Sequence, residues 1–269
     1  MKIGKETIPR TAICTANQDT IVIRGLDLCD DAIGKMGFTE YFYLLLTGKK
    51  PGPAALAVLD ATLVAIAEHG LVPSVQTARM TFAASPEALQ GAVAAGLLGC
   101  GSVILGAAEQ AGVLFESVRQ RQMAAGVTLD DAALAVVRAY REERRSIPGY
   151  GHPLHKARDP RVDALFTVSE QVGAGQEYIR IAEAVERAIL EVTGKDLRLN
   201  VSAAIPAVLL GVDYPLRALR GVPILARSAG LIAHLFEEMN RPIGFALSYQ
   251  AGRATEYDGE VPPGFQADH

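Results

Sequence analysis

Residues 88–108 run for twenty-one positions without one charged side chain, and five of those positions are glycine. A helix of that length and polarity is long enough to cross a bilayer, so the stretch must first be placed in a membrane or in a protein interior. Its flanks are Glu87 and Glu109 rather than the lysine or arginine that usually anchor a spanning segment. Gly91, Gly96, Gly99, Gly101 and Gly106 lower helix propensity but let neighbouring helices approach closely. The stretch therefore reads as a buried helix or helix pair in the middle of a helical domain, with other apolar helices around it.

Those other helices are legible on both sides. Ile33, Met36, Phe42, Leu45 and Leu46 recur at helical spacing before Gly48 and Pro51, and residues 54–68 form an Ala-rich helix. Residues 130–144 predict an amphipathic helix capped by Asp130 or Asp131, ending in the solvated cluster Arg141-Glu142-Glu143-Arg144-Arg145. Further helices are expected over 160–172, 177–193, 200–210 and 223–239, the last holding Arg227 and His234. Strand character is confined to residues 20–23, and residues 250–269 turn polar and proline-containing and read as a tail.

With 269 residues, 49% hydrophobic and 21% charged, the chain can fold unaided as one large domain or two modest ones. A net charge of −4 offers no basic face for a nucleic acid, while a small anion held by a few local cations remains compatible. Cys14, Cys29 and Cys100 stand far apart, without metal spacing, and read as reduced and mostly buried, which points to the cytoplasm. The first residues lack the apolar run of a signal peptide.

One loop concentrates chemistry. Residues 147–161 read Ile-Pro-Gly-Tyr-Gly-His-Pro-Leu-His-Lys-Ala-Arg-Asp-Pro-Arg, with two histidines and three cations after a turn-forming start. Glycine next to His152 allows close backbone approach, and histidine titrates near neutral pH. Such a loop suits a polar anionic ligand, although an exposed basic loop opening a helix has the same composition.

The order of motifs resembles the citrate synthase superfamily from residue 13 to 242. The loop looks like that family's Pro-Gly-Phe/Tyr-Gly-His segment followed by Asp-Pro-Arg. Arg24-Gly25, Leu44-Leu45-Leu46-Thr47-Gly48, Glu68-His69-Gly70, Asn200-Val201 and Ala226-Arg227-Ser228-Ala229-Gly230 follow the family order and approximate spacing. The resemblance implies that His69 binds the oxaloacetate or citrate part of a substrate. It implies that His152 bonds the keto oxygen or the product hydroxyl, and that Arg161 and Arg227 grip carboxylates. Arg241, in Arg241-Pro242, would reach the neighbouring subunit's site, and Lys156 would meet coenzyme A phosphate. The chemistry agrees, because arginine binds carboxylate through a planar fork and histidine can polarise a carbonyl and stabilise the alkoxide. Taken singly, Arg227 also fits a surface cation and His69 a helix C-cap.

Two positions depart from the condensing members of the family. Their Gly-Pro-Leu-His-Gly-Gly-Ala histidine is matched here by Ile104, which can neither donate nor accept a hydrogen bond. Their aspartate after Asn-Val is matched by Ser202, a poor base unless something activates it. The lyase module of ATP-citrate lyase, similar to stand-alone citryl-CoA lyases, also lacks that histidine but keeps the aspartate. The short length of the chain, without the long N-terminal extension of full citrate synthases, points the same way.

The expectation is a citryl-CoA lyase-like carbon–carbon lyase, cleaving citryl-CoA or a related 3-hydroxy-3-carboxyacyl-CoA to acetyl-CoA and an oxoacid such as oxaloacetate. His152 and Ser202 stand at its catalytic positions; the proton for the departing enolate would come from water, Ser202 or an acid such as Glu109. The alternatives are a citrate synthase-type acyltransferase, condensing acetyl-CoA with an oxoacid, and a catalytically weakened carboxylate- and CoA-binding protein. The family implies an all-α, two-domain fold with a small domain, residues 105–202, inserted between large-domain parts 1–104 and 203–269. It also implies a homodimer or higher homo-oligomer and no metal, nucleic acid or membrane partner.

Overall fold

The computed structural model describes residues 9–101, 105–151 and 158–266. A small antiparallel sheet comes first: β1 (Cys14–Ala16), β2 (Ile21–Ile23) and β3 (Leu26–Asp27), in that order, with Cys14 opposite Ile23 and Val22 opposite Asp27. Everything regular after it is helical. The elements are α1 (Phe38–Thr47), α2 (Pro53–Ala67), α3 (Pro73–Ala84), α4 (Leu89–Leu98), α5 (Ala107–Ala125), α6 (Leu129–Glu142), α7 (Pro160–Gln171), α8 (Gln176–Thr193), α9 (Val201–Leu210), α10 (Gly221–Asn240) and α11 (Gly244–Arg253). The architecture is mostly helical, as expected, with single helical turns at Leu28–Ala32 and Leu216–Ala218.

The uncharged stretch breaks into helix α4, ending at Leu98, and the start of α5, with Ala92 and Gly96 on the buried side of α4. No helix among the described residues is long and apolar enough to cross a membrane. The interior is built around α9, whose residues from Ala203 to Leu209 are all buried. A helix apolar on every side needs neighbours on every side. Leu114, Phe115 and Val118 of α5, Ile181, Val185 and Ile189 of α8, and Val58 and Leu59 of α2 belong to that core. A second, smaller core joins Val75, Ala78 and Phe82 of α3 to Ala92 of α4 and to Leu231 and Leu235 of α10.

Two sequence motifs prove to be one structural unit. Arg24, held at a φ of 50°, sends Nε and Nη2 to the Leu45 carbonyl, at 2.9 and 2.6 Å, with Nη1 3.3 Å from the Ala12 carbonyl. It caps the C-terminus of α1, where the helix dipole favours a cation and unpaired carbonyls need donors. Arg24-Gly25 and Leu44-Leu45-Leu46-Thr47-Gly48 therefore join the sheet to α1.

The structure corrects several local expectations. Helix α6 is capped by Thr128, whose Oγ1 accepts the Asp131 amide at 3.2 Å, so Asp130 and Asp131 fill its first turn instead. Ile33 and Met36 precede α1. Cys14 and Cys29 are exposed and Cys100 is half-buried, all three as free thiols, against the expectation of mostly buried cysteines; apolar spacing places a helix face but says little about residues in a short edge strand or a turn. Residues 250–253, read as tail, complete α11. That helix has no cap of its own: the Glu238 carboxylate accepts the Ile243 and Gly244 amides, at 2.9 and 2.7 Å, and starts it from a distance.

Glu238 is in turn held by Arg79, which is 2% exposed. Arg79 Nε lies 2.6 Å from Glu238, Nη1 2.8 Å from Glu237 and Nη2 3.0 Å from the Arg241 carbonyl, tying α3 to the end of α10. Burial pushes the Glu238 carboxyl up, but the Gly244 and Ile243 amides and Arg79 outweigh it and hold it below the usual range. Replacing one member of such a pair leaves a buried charge without compensation. Arg79→Ala is expected to destabilise the fold by about 3–5 kcal/mol; equilibrium urea unfolding measures it, and a loss below ~1 kcal/mol would contradict the pairing described here.

Candidate functional site

The last turn of α2 gives way to Glu68, whose extended backbone breaks the helix. Its carboxylate folds back, Oε1 accepting the amides of His69 at 2.8 Å and Gly70 at 2.6 Å, so the backbone carrying His69 is pinned. Helix α10 crosses at this point. A Cβ on Gly230 would fall 2.1 Å from the Ala67 carbonyl oxygen and 3.1 Å from Glu68 Oε2, so no other residue permits this approach. Arg227 and His234 lie on either side of that contact, nearly one turn before and one turn after it.

Arg227 is 3% exposed, and its Nη1 is 3.6 Å from Glu68 Oε2. That is within ion-pair range, yet neither Nε nor Nη1 has a hydrogen-bond partner among the described residues. His234 Nε2 sits 2.9 Å from the same Glu68 oxygen. Burial raises the Glu68 carboxyl, but His234 and the two amides lower it further, leaving it below the usual carboxylate range. A guanidinium out of water with open donors is unusual, because buried polar groups are nearly always bonded. It is the arrangement expected of a cation awaiting a planar anion. The thiol of Cys100, following α4, is pushed up by burial and pulled back by the charge of Arg227.

A second group forms where the 147–161 loop meets α7 and α9. Tyr150 bridges to Leu199, the Gly151 amide reaches the Arg198 carbonyl at 2.7 Å, and the Asn200 side chain donates to the Gly151 carbonyl at 2.6 Å. Gly149 has a φ of +88°, and a Cβ there would lie 2.6 Å from that of Ala203. Asp159, 1% exposed, caps α7 and accepts Arg161 Nε at 3.0 Å and Nη2 at 2.8 Å, together with the Val201 amide at 3.2 Å. Burial works against its ionised form, but Arg161 and the amides prevail and bring its pKa down to about 2. Ser202 stands in the first turn of α9, its amide held by Asn200 Oδ1 at 2.9 Å.

Of the residues singled out from sequence, His69 and Arg227 come together through Glu68, and Arg161 and Ser202 come together through Asp159 and the α9 start. Helix α2 packs on α7, α9 and α10 and so touches the elements of both groups. The fork of Arg161 is already engaged by Asp159, unlike that of Arg227. Arg241 is apart from both, with its side chain 82% exposed and Nη1 4.0 Å from Glu237. His152, Lys156 and Ile104 lie outside the described residues. The organising carboxylates, Glu68 and Asp159, carry no expected role from sequence; Asp159 two positions before Arg161, at a helix start, is the one local signal. Among the described residues no group of three or more His, Cys, Asp or Glu could hold a metal.

These features define a mainly helical protein with a buried arginine, open at two donors, between the end of one helix and the face of another. The chain belongs to the citrate synthase family: the family model "Citrate synthase, C-terminal domain" matches residues 28–244. It is 29% identical to the citrate synthase of Synechocystis sp. over 216 residues, 77% of this chain and 51% of that protein. It is likewise 29% identical to the citrate/2-methylcitrate synthase of Bacillus subtilis over 227 residues, 81% of this chain and 57% of that protein. The chain thus spans about half the length of the curated relatives it matches. Among solved structures, the citryl-CoA lyase from Hydrogenobacter thermophilus superposes with a TM-score of 0.81 at 31% identity, over 97% of this chain and 98% of that one. The ATP citrate lyase from Methanothrix soehngenii, solved with citrate and coenzyme A, gives 0.75 at 23% identity, over 99% of this chain and 44% of that one, a likeness of fold.

The Asp159 pairing has a pH signature. Its folded pKa, about 2, is below the ordinary value of 3.8, so its stabilisation is present above pH ~4 and is lost as pH falls toward 2. Asp159→Asn is expected to lower stability by about 2–3 kcal/mol at neutral pH. Thermal unfolding followed from pH 7 to 2 should show wild type and variant converging in the acid; a constant gap would contradict the assignment.

Proposed function

We propose that this chain is a citryl-CoA lyase-like enzyme, cleaving citryl-CoA or a related 3-hydroxy-3-carboxyacyl-CoA into acetyl-CoA and an oxoacid such as oxaloacetate. The observation that carries the reading is Arg227, a buried guanidinium with open donors beside the pinned His69. It suits one carboxylate of a polycarboxylate substrate, with Arg161 placed to serve another through donors that Asp159 leaves open. Cleavage rather than condensation is supported by Ile104, in place of the histidine that stabilises the acetyl-CoA enol, and by the end-to-end likeness to a citryl-CoA lyase structure.

In this direction His152 takes the substrate hydroxyl proton, and the electron pair of the breaking carbon–carbon bond moves onto the thioester side as an enolate. The hydroxyl carbon becomes the ketone of the oxoacid. A proton then reaches the enolate carbon from water, Ser202 or Glu109, which lies in the first turn of α5. Lys156 faces the coenzyme phosphate in this reading. A small domain of residues 105–202 closing on the rest would keep water from the enolate. The 29% identity to citrate synthases supports condensation as the second reading.

Purified protein given citryl-CoA is expected to release oxaloacetate, followed by its enzymatic reduction to malate. His152→Ala should lower the rate by about 10²–10⁴-fold. Oxaloacetate no faster than in that variant, with coenzyme A released instead from acetyl-CoA plus oxaloacetate, would favour the synthase direction.

The proposal includes a homodimer. Ile232, Phe236 and Met239 form an exposed apolar stripe on α10, Phe245 and Tyr249 are exposed on α11, and Arg241 is exposed at the end of α10. A contiguous apolar face of this kind marks an interaction surface. Light scattering coupled to size exclusion is expected to give twice the chain mass, and Phe236→Glu to shift it toward one; a monomeric wild type would remove the dimer.

A further inference from the structure

Glu68 Oε2 is shared by two groups that need it in different charge states. Arg227 is always cationic and lies 3.6 Å away; His234 Nε2 lies 2.9 Å away and is cationic only when protonated. His234 is largely buried, its side chain 15% exposed; its Nδ1 has no hydrogen-bond partner among the described residues, and its Nε2 meets Glu68 Oε2 as a close contact outside hydrogen-bond geometry. Among the described residues, the charged and titratable groups tied to it come from three elements. Glu68 and His69 come from the end of α2, Cys100 follows α4, and Arg227 shares α10. Arg79 of α3 is committed to Glu237 and Glu238, a turn further along α10. Before any anion binds, Glu68 balances Arg227.

A carboxylate ligand changes that balance. It takes the open Nε and Nη1 donors of Arg227 and brings negative charge beside a guanidinium that is 3% exposed. Glu68 then shares Arg227 with the ligand, and two negative groups face that guanidinium. The His234 imidazole, already against Glu68, can supply a compensating charge.

We propose that Glu68 and His234 are positioning residues that act as an exchangeable counter-ion. Glu68 holds Arg227 ready in the free protein, and passes to His234 when a substrate carboxylate binds, with His234 taking one proton from solvent. This rests on the reading of Arg227 as a carboxylate-binding residue. It makes anion affinity fall as pH rises above neutrality, because binding and protonation are linked.

Oxaloacetate is a suitable probe, since both its carboxyls are ionised at neutral pH and any proton taken up goes to the protein. Calorimetric titration of the full chain at pH 7.5, in buffers of different ionisation enthalpy, should give an uptake approaching about one proton per anion. Affinity should weaken by up to about tenfold per pH unit on the alkaline side. His234→Gln should abolish the uptake and flatten the pH dependence while still binding. Glu68→Gln, which keeps an oxygen for the His69 and Gly70 amides, should also lose the uptake, and circular dichroism shows whether each variant is folded. Binding without uptake in the wild type, or uptake that persists in folded His234→Gln, overturns the proposal and leaves the carboxylate site standing. No oxaloacetate binding by the wild type overturns the Arg227 reading and this proposal with it.

Discussion

The crossing of α10 over the end of α2 is the contact on which the site depends. Gly230 lets the two backbones meet where a single methyl group would collide with the Ala67 carbonyl. At that separation, side chains nearly one turn to either side of the glycine converge on the same carboxylate. A larger residue at the crossing would push α10 outward, and Arg227 and His234 would leave Glu68 together. The cluster of Arg227, Glu68 and His234 is therefore a consequence of helix packing rather than of a loop folding around a ligand.

Three carboxylates do similar work in different places. Glu68 turns the chain after α2, Asp159 joins α7 to the start of α9, and Glu238 starts α11 from the end of α10. Each accepts backbone amides and lies against an arginine, and each is held below the usual carboxylate range despite burial. Backbone amides in a partly dry environment favour the ionised form and fix direction as well as position. Arg79 and Arg161, which each turn Nε to a buried carboxylate, stabilise the scaffold around the site, and Arg161 keeps donors that Asp159 does not take. Arg227 is different because its carboxylate stays at 3.6 Å, close enough to balance charge but too far to consume its donors.

Much of this is legible in the chain before folding. Helices α2, α6, α7, α8, α9 and α10 follow the apolar spacing, whereas α3 and most of α5 carry no expectation from it, and the family motifs appear in order with the histidines and arginines that carry the proposed chemistry. Where expectation fails, the cause is a group supplied from elsewhere. Residues 250–253 look like tail because nothing local caps α11; Glu238 does so from the preceding helix. Arg24-Gly25 looks like a separate motif until its guanidinium is seen on the last carbonyls of α1. Arg161 looks like an open cation until Asp159, two positions earlier, is seen to hold its fork.

Periodicity, turn residues and motif order are local properties, and they suffice for the helical class, for the family, and for the departure at Ile104 and Ser202. Which carboxylate each arginine meets is not local. Arg79 and Glu238 are 159 positions apart, and Glu68 and Arg227 belong to helices separated by most of the chain. Only packing decides such pairs, because an ion pair in the interior is set by where rigid helices cross. The same packing distinguishes a satisfied guanidinium from one left open, and so separates Arg161 from Arg227, two residues that the linear chain presents alike.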